Sequence, residues 1–379
     1  MSLSIPFRTA LKDLPVYQPG RPIEEVAREL GLPPKSIIKM ASNENPLGPS
    51  PKALAAMKKA VNNLHLYPDG NSFYLKAKLA ESLNISPANL ILGNGSNEII
   101  EFVAHALLEP GSEIIVSQYC FAIYPIIAKM FGASVTTVPA REYGHDIPAM
   151  MAAITPKTRV IFVANPNNPT GTLAPRAEIM RLVNEVPKKV LVVLDEAYIE
   201  FMEEPIDLLP SIREGQNNLL LMRTFSKIFG LAGLRIGYGI ANPEVVTILE
   251  KVRQPFNINA IAQAGALAGL DDFDHLHNTR MTNIAGLRFF RKAFEAMDLK
   301  FVESQANFVL VEVGDGQEVF NDMQKQGVIV RPMAGYQLPR HIRISIGTPA
   351  ENKRCLAALK KALKNRKPKK MVVSPNPWN

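Results

Sequence analysis

Short apolar runs that alternate with helical segments or loops fill the centre of the chain, and this alternation limits the possible folds more than any other feature. The runs are rich in β-branched residues and lie at 113–116, 135–138, 160–164, 190–194, 219–222 and 236–240. Strands that alternate with helices form a mostly parallel sheet with helices on both faces. The pattern therefore predicts an α/β fold for this region.

The pattern changes near residue 243, where longer helices precede short strands at 301, 308–313, 328–331 and 342–346. A chain of 379 residues also exceeds the size at which one hydrophobic core stops growing. We therefore predict an N-terminal arm (1–40) that packs with a smaller domain, a large domain (41–270), the smaller α+β domain (271–365) and a flexible basic tail (366–379).

Composition gives no support for a membrane or metal-binding function. The chain has no apolar run near the roughly 18 residues that a membrane span needs, and its first residues lack the pattern of a secretory signal. Its two cysteines, Cys120 and Cys355, have no second cysteine or histidine at metal-ligand spacing. These features predict a cytoplasmic protein without a metal site, a disulfide or a membrane partner.

Much of the net charge of +8 lies near the C-terminus, where residues 360–370 read KKALKNRKPKK. Aromatic residues do not interleave with these charges, as they do in segments that bind nucleic acid. We interpret the run as a solvated tail, and we predict an anionic small substrate and no nucleic-acid partner.

Lys227 ends the motif RTFSK (223–227), which follows a predicted strand and precedes small and apolar residues. A desolvated lysine has a lowered pKa and becomes a nucleophile that can form an imine. Arg235, eight residues further on, could pair with a phosphate. Taken alone, each would be an ordinary surface residue of a loop.

Asp195 and Tyr198 follow the apolar run at 190–194, and ligands of α/β sheets bind outside the carboxyl ends of strands. An aspartate there can keep a pyridinium nitrogen protonated, and Tyr198 can donate a hydrogen bond to a phenolic oxygen on the same ring. The alternative is a helix-capping aspartate beside a packing tyrosine.

Three further segments could contribute to the same site. The turn NPNNPTG (165–171) is rigid and could present Asn168 to the phenolic oxygen. Ser96 and Asn97 open an apolar helix, so their backbone amides could bind a phosphate together with Thr224, Ser226 and Arg235. The run at 120–124 offers an aromatic ring, taken to be Phe121, that could stack on the pyridine.

These motifs, in this order, resemble the fold-type I pyridoxal-phosphate-dependent aminotransferases, and among them the histidinol-phosphate aminotransferase family. The resemblance covers nearly the whole chain and includes the segments YQPGRPIEE (17–25), SNENPLGP (42–49) and LYPDG (66–70). It implies a large domain with a seven-stranded, mostly parallel sheet between helices, and pyridoxal 5'-phosphate as the cofactor. One departure is Phe121, since the family often has tyrosine at the stacking position.

The resemblance also implies roles for individual residues. Lys227 would bind the cofactor covalently, and Asn168, Asp195 and Tyr198 would hold its ring. Tyr67 would reach the cofactor phosphate of a neighbouring subunit, which implies a homodimer with shared active sites. The substrate-binding residues would be Tyr17, which closes over the substrate, Asn45, Arg331 near a distal phosphate, and Arg343 at the α-carboxylate.

The implied activity is transamination of histidinol phosphate with 2-oxoglutarate, which yields imidazole-acetol phosphate and glutamate in histidine biosynthesis. The sequence leaves two alternatives open. An aromatic-amino-acid aminotransferase would use the same cofactor residues with a different side-chain pocket. A threonine-phosphate decarboxylase would release carbon dioxide and would need no oxo acid.

Overall fold

The computed structural model describes residues 8–11, 14 and 22–364, so the predicted arm residue Tyr17 and the basic tail lie outside the described residues. The continuous part begins with helix α1 (Ile23–Leu30) and the short strand β1 (Ile38–Lys39). Within the described part of the chain, no helix is both long and apolar enough to cross a membrane.

A seven-stranded sheet forms the centre of the larger part of the chain. Its strands are β2 (Leu90–Gly93), β3 (Glu113–Ser117), β4 (Ser134–Val138), β5 (Thr158–Ala164), β6 (Leu191–Asp195), β7 (Leu219–Thr224) and β8 (Gly237–Ala241). They lie in the order β2-β8-β7-β6-β5-β3-β4. Strands β3 to β7 are parallel, and β8 runs antiparallel to both of its neighbours. The predicted α/β class is confirmed, although the sequence pattern had not indicated β2.

Helices cover both faces of this sheet. They are α2 (Pro51–Ala60), α3 (Phe73–Leu83), α4 (Ser96–Leu107), α5 (Ile123–Met130), α6 (Ile147–Ala152), α7 (Arg176–Glu185), α8 (Leu209–Arg213), α9 (Pro243–Glu250) and α10 (Ala260–Gly269). Alternate residues of one strand point to opposite faces. In β5, Ile161 and Val163 therefore enter one core while Val160 and Phe162 enter the other. The two cores fix the sheet, and with it the positions of the strand ends.

A smaller four-stranded antiparallel sheet follows. The elements are α11 (Phe273–Glu295), β9 (Phe301–Val302), β10 (Phe308–Glu312), α12 (Gly316–Gln324), β11 (Val328–Ile329), β12 (Arg331–Pro332), β13 (His341–Ser345) and α13 (Pro349–Lys364). The sheet order is β12-β13-β10-β9, and β1 pairs with β11 in parallel. The single strand expected at 328–331 is therefore two strands, because β11 pairs with β1 and β12 pairs with β13.

Candidate active site

A cavity of about 570 Å³ lies where β5, β6 and β7 end and α4 begins. Every predicted cofactor-binding residue except Tyr67 lines it: Ser96, Asn97, Phe121, Asn168, Asp195, Tyr198, Thr224, Ser226, Lys227 and Arg235. These residues come from distant parts of the sequence and meet because parallel strands present their carboxyl ends at one edge of a sheet.

Lys227 lies in the loop that follows β7. Its Nζ donates a hydrogen bond to the carbonyl oxygen of Ser42 at 3.4 Å and lies 5.6 Å from the centre of the Tyr198 ring. Burial lowers the pKa of Lys227 to about 8, and the positive charges of Arg343 and Arg235 act in the same direction. About a tenth of the amine is therefore neutral at pH 7, and the neutral amine is the form that reacts with carbonyl groups.

Asp195 is the last residue of β6 and is only 7% exposed. Its Oδ2 accepts a hydrogen bond from the Tyr124 hydroxyl at 2.7 Å, and its Oδ1 accepts one from the Ala197 amide at 3.1 Å. Burial raises the pKa of Asp195, while these two donors and nearby Lys227 oppose that rise. The arrangement holds a carboxylate in a fixed position on the cavity wall.

The sequence did not predict that Tyr124 would donate a hydrogen bond to Asp195. Tyr124 is the last residue of the segment 120–124 and lies in the first turn of α5. The residue is fully buried, and a buried tyrosine hydroxyl needs a hydrogen-bond partner. This requirement could have indicated that Tyr124 has a hydrogen-bond partner, but the sequence alone does not identify Asp195 as that partner.

The start of α4 forms a cradle for an anion. The first amides of a helix, here those of Ser96 and Asn97, have no partner within the helix. The Arg235 guanidinium lies close to Gly95, because a Cβ on Gly95 would be only 2.4 Å from Arg235 Nη2. The backbone of Gly237 lies equally close to the helix start, because a Cβ on Gly237 would be 2.4 Å from the Ser96 nitrogen. The two glycines thus let a guanidinium and a helix N-terminus lie side by side, which suits a phosphate.

Two arginines of the smaller sheet lie opposite each other on neighbouring strands, and one of them, Arg343, contacts a residue of this cavity. Arg343, on β13, donates from Nη1 to Asn168 Oδ1 at 2.7 Å and from Nη2 to the carbonyl of Ala41 at 3.0 Å. Arg331, on β12, is its direct cross-strand partner, so both side chains leave the same face of the sheet. Like charges directly opposite each other are destabilising. The pair is accordingly suited to an anionic ligand.

Several residues are placed differently from the predicted set. Asn45 uses its side-chain amide within the protein, donating to the carbonyl of Ile228 at 2.8 Å and to Thr279 Oγ1 at 3.1 Å. It lines a neighbouring cavity of about 490 Å³ instead. Ser42 and Glu44, from the same segment SNENPLGP (42–49), line the larger cavity. No role had been predicted for either residue.

Tyr67 also lies outside the cavity of its own chain. It is 83% exposed, and its ring stacks on Phe256 with the ring centres 4.8 Å apart. No residue of the described part of the chain covers most of its surface, so its hydroxyl is available to another molecule.

The groups that line the cavity fit pyridoxal 5'-phosphate. Lys227 supplies an amine, Asp195 a carboxylate, Phe121 an aromatic ring and the cradle at α4 a set of phosphate donors. This combination in an α/β fold defines the class of pyridoxal-phosphate-dependent transferases.

Comparison with known proteins gives the family. Residues 35–359 match the family model "Aminotransferase class I and II". The histidinol-phosphate aminotransferase of Akkermansia muciniphila is 51% identical over 352 residues, which is 93% of this chain and 97% of that relative. Histidinol-phosphate aminotransferase 2 of Pseudomonas fluorescens (strain Pf0-1) is 49% identical and covers 93% of this chain and 96% of its own.

A solved structure agrees with these relatives. The histidinol-phosphate aminotransferase of Sinorhizobium meliloti, in complex with pyridoxal-5'-phosphate, aligns with a TM-score of 0.86 and 29% identity over 96% of this chain and 98% of that one. The chain belongs to the class I and II aminotransferases and, within them, to the histidinol-phosphate aminotransferase family. It is a pyridoxal-phosphate-dependent enzyme that acts on small molecules.

Proposed function

We propose that the protein is a cytoplasmic homodimer that transfers the amino group of histidinol phosphate to 2-oxoglutarate, a step of histidine biosynthesis. The products are imidazole-acetol phosphate and glutamate. The observation that carries the proposal is the in-register pair of Arg331 and Arg343, of which Arg343 donates a hydrogen bond to the cavity residue Asn168. The names of the relatives described above support the same substrate.

Lys227 is the proposed catalytic residue. When bound, pyridoxal phosphate supplies an aldehyde that condenses with the substrate amine and a ring that accepts electrons from the α-carbon. Lys227 Nζ takes the proton from the substrate α-carbon and returns it at the C4' atom, acting as general base and then as general acid. Its lowered pKa suits both steps, because both protonation states are accessible near neutral pH.

The remaining cavity residues orient the ring and hold the phosphate. With the cofactor bound, Asp195 would face the ring nitrogen, Tyr198 and Asn168 would donate to the phenolic oxygen, and Phe121 would stack on the ring. The phosphate would be held by Ser96, Asn97, Thr224, Ser226 and Arg235, all of which line the cavity.

The two arginines account for both substrates. The α-carbon of histidinol phosphate bears a phosphorylated hydroxymethyl group. The α-carbon of glutamate bears its α-carboxylate at the same position. Arg343 binds either group, and Arg331 adds a second guanidinium for the doubly charged phosphate. Tyr17 is proposed to close over the bound substrate. Asn45 stays a predicted substrate-binding residue, and its amide donates to Ile228 and Thr279 in the structure.

The proposed homodimer is supported by the exposed surface around Tyr67. Leu66, Tyr67, Phe73 and Tyr74 are each 60% exposed or more. Four large exposed apolar side chains within nine residues of sequence are typical of a protein interface. A second subunit bound there would bring Tyr67 to the cofactor phosphate of its neighbour.

The substrate assay decides between this function and the two alternatives. Purified protein is supplied with 2-oxoglutarate, and glutamate formation is compared for histidinol phosphate, phenylalanine and tyrosine. Carbon dioxide release from phosphothreonine is followed in parallel. We expect kcat/KM for histidinol phosphate to exceed the others at least about a hundredfold, roughly 2.7 kcal/mol of discrimination.

Comparable turnover of the aromatic amino acids would instead identify an aromatic aminotransferase. Carbon dioxide release without glutamate formation would identify a decarboxylase. Either result would replace the proposed substrate while leaving the cofactor assignment in place.

Arg331→Ala tests the role of the arginine pair. The loss of a charge-assisted contact to phosphate should raise KM for histidinol phosphate by about tenfold or more, and KM for phenylalanine far less. Arg340→Ala serves as the control, because Arg340 pairs with Glu312 at the surface. Equal effects of Arg331→Ala on both substrates would contradict phosphate recognition.

A further inference from the structure

A chain of polar contacts begins at the anion cradle. The Glu98 carboxylate, in the first turn of α4, accepts hydrogen bonds through Oε2 from the Asn94 amide at 2.6 Å and from Asn257 Nδ2 at 2.7 Å. Asn257 Oδ1 in turn accepts from Arg253 Nη1 at 2.9 Å. Asn257 and Arg253 therefore connect to the start of the helix that faces the cofactor phosphate.

The same contacts continue to the loop that carries Tyr67. Arg253 Nη1 also donates to the carbonyl oxygen of Gly70 at 3.1 Å. Arg253 Nε donates to Glu250 Oε2, and Glu250 Oε1 accepts from Lys76 on α3 at 2.8 Å. The three charged side chains are only 14%, 26% and 19% exposed. Charge-assisted hydrogen bonds in such partly buried positions are strong and directional, so the loop is held in one geometry.

Phe256 provides independent evidence that the surrounding contacts fix the conformation of the Tyr67 loop. Its backbone has a φ of +57°, a left-handed conformation that bulky residues rarely adopt. Its ring stacks on Tyr67 at an angle of 25° between ring planes, and a Cβ on Gly70 would lie 3.2 Å from it. Strained backbone of this kind persists only where the surrounding contacts hold it, and it clusters at functional sites.

We propose that Arg253 and Asn257 are positioning residues that aim Tyr67 at the active site of the partner subunit while bracing the phosphate cradle of their own. This inference rests on the proposed homodimer with shared sites. A continuous set of hydrogen bonds runs from α4 to Gly70 in the Tyr67 loop, and Tyr67 itself would extend this connection to the active site of the partner subunit. Neither residue lines the cavity.

Mixed dimers separate an effect on the partner site from a local one. One subunit is wild type and the other carries Lys227→Ala, so only the wild-type subunit can attach the cofactor covalently. The Lys227→Ala subunit still supplies its Tyr67 to that site. Adding Arg253→Met to the Lys227→Ala subunit disturbs only the Tyr67 that serves the wild-type site. Arg181→Met in the same subunit is the control, since Arg181 forms an exposed pair with Glu185 on α7.

The readout is the fraction of wild-type subunit that carries cofactor on Lys227 after borohydride reduction, measured by mass spectrometry over a range of pyridoxal phosphate concentrations. We expect Arg253→Met in the opposite subunit to raise the half-saturating concentration by about tenfold, and Arg181→Met to leave it unchanged. When Tyr67→Ala is already present in that subunit, Arg253→Met should have no further effect, because Arg253 acts through Tyr67. An unchanged half-saturating concentration with Arg253→Met alone would overturn the proposal.

Two further variants, Phe256→Asn and Tyr67→Ala, distinguish the possible reasons for a negative result. Where an Arg253→Met subunit does not fold, Phe256→Asn removes the stacked ring while suiting the left-handed backbone, and the same shift is expected. If Tyr67→Ala in the opposite subunit has no effect, the proposed shared site itself is wrong, and the positioning role falls with it. A shift with Tyr67→Ala but none with Arg253→Met or Phe256→Asn rejects the positioning role alone.

Discussion

At the scale of single residues, the cavity sets the charge of its lysine. Burial and two arginines lower the pKa of Lys227, while Glu44 acts in the opposite direction. Glu44 is one of the cavity-lining residues without an assigned role in binding the cofactor. The lowered pKa favours the neutral amine that the reaction needs. In the cofactor-free protein, burial of the protonated amine therefore costs free energy.

The pH dependence of stability should reveal this cost. In the cofactor-free protein the pKa of Lys227 is about 8, against 10.5 for an unperturbed lysine. Between these values the unfolded chain binds more protons than the folded chain, so stability rises with pH. Lys227→Met removes the penalty, and we expect the variant to be more stable than wild type at pH 7 by up to roughly 3 kcal/mol.

Denaturant unfolding of both cofactor-free proteins at pH 7 and near pH 10 measures the difference. The advantage of Lys227→Met should shrink as the pH rises through 8 toward 10.5. Lys325→Met, at an exposed position directly after α12, should show no such trend. A difference that stays constant with pH would show that packing and not charge causes it.

At the scale of elements, the loop between β7 and β8 depends on close contact with the loop before α2. Gly230 has a φ of +69°, and a Cβ there would lie 2.1 Å from the carbonyl oxygen of Gly48. This approach brings the segment near Ser42 against Lys227, whose Nζ bonds the Ser42 carbonyl. Only glycine permits both the backbone conformation and the distance.

Gly230→Ala should therefore disturb the site. We expect a loss of stability of roughly 1–3 kcal/mol and weaker binding of pyridoxal phosphate. Gly215→Ala is the matched control, because Gly215 also has a positive φ (+87°) but no atom lies within 4 Å of its added Cβ, and it does not line the cavity. Thermal unfolding and a cofactor titration measure both effects. Equal behaviour of the two variants would mean that the Gly48 contact does not set the loop.

At the scale of the whole molecule, the aromatic surface beside α3 should decide the state of association. Phe73 and Tyr74 are 66% and 72% exposed at the start of this helix, directly after the Tyr67 loop. Exposed aromatic side chains in such numbers are unusual on a monomer, and aromatic residues are enriched at interfaces.

The double variant Phe73→Glu, Tyr74→Glu is expected to sediment as a monomer and to lose most of its transaminase activity. The reason is that two charges would be buried at the interface and Tyr67 would no longer reach a partner site. Lys325→Glu, at an exposed position directly after α12, should leave both properties unchanged. A fully active monomer would contradict the shared active site.

Local patterns in the sequence predicted six of the seven strands of the large sheet and missed β2. Apolar runs reflect burial of individual strands, and Asp195, Asn168 and Lys227 each lie within five residues after such a run. Their meeting in one cavity follows from parallel pairing, which the alternation of elements already implies. The sequence by itself thus determined the fold class and most of the residues that line the cavity.

Only the tertiary structure decided how these residues are held. The Tyr124 bond to Asp195, the Arg343 bond to Asn168 and the engagement of Asn45 by Ile228 and Thr279 each join segments far apart in the chain. The pairing of Arg331 with Arg343 and the division of residues 328–331 between two strands depend on which strands become neighbours. Such contacts are set by packing between elements, and the periodicity within one element carries no information about them.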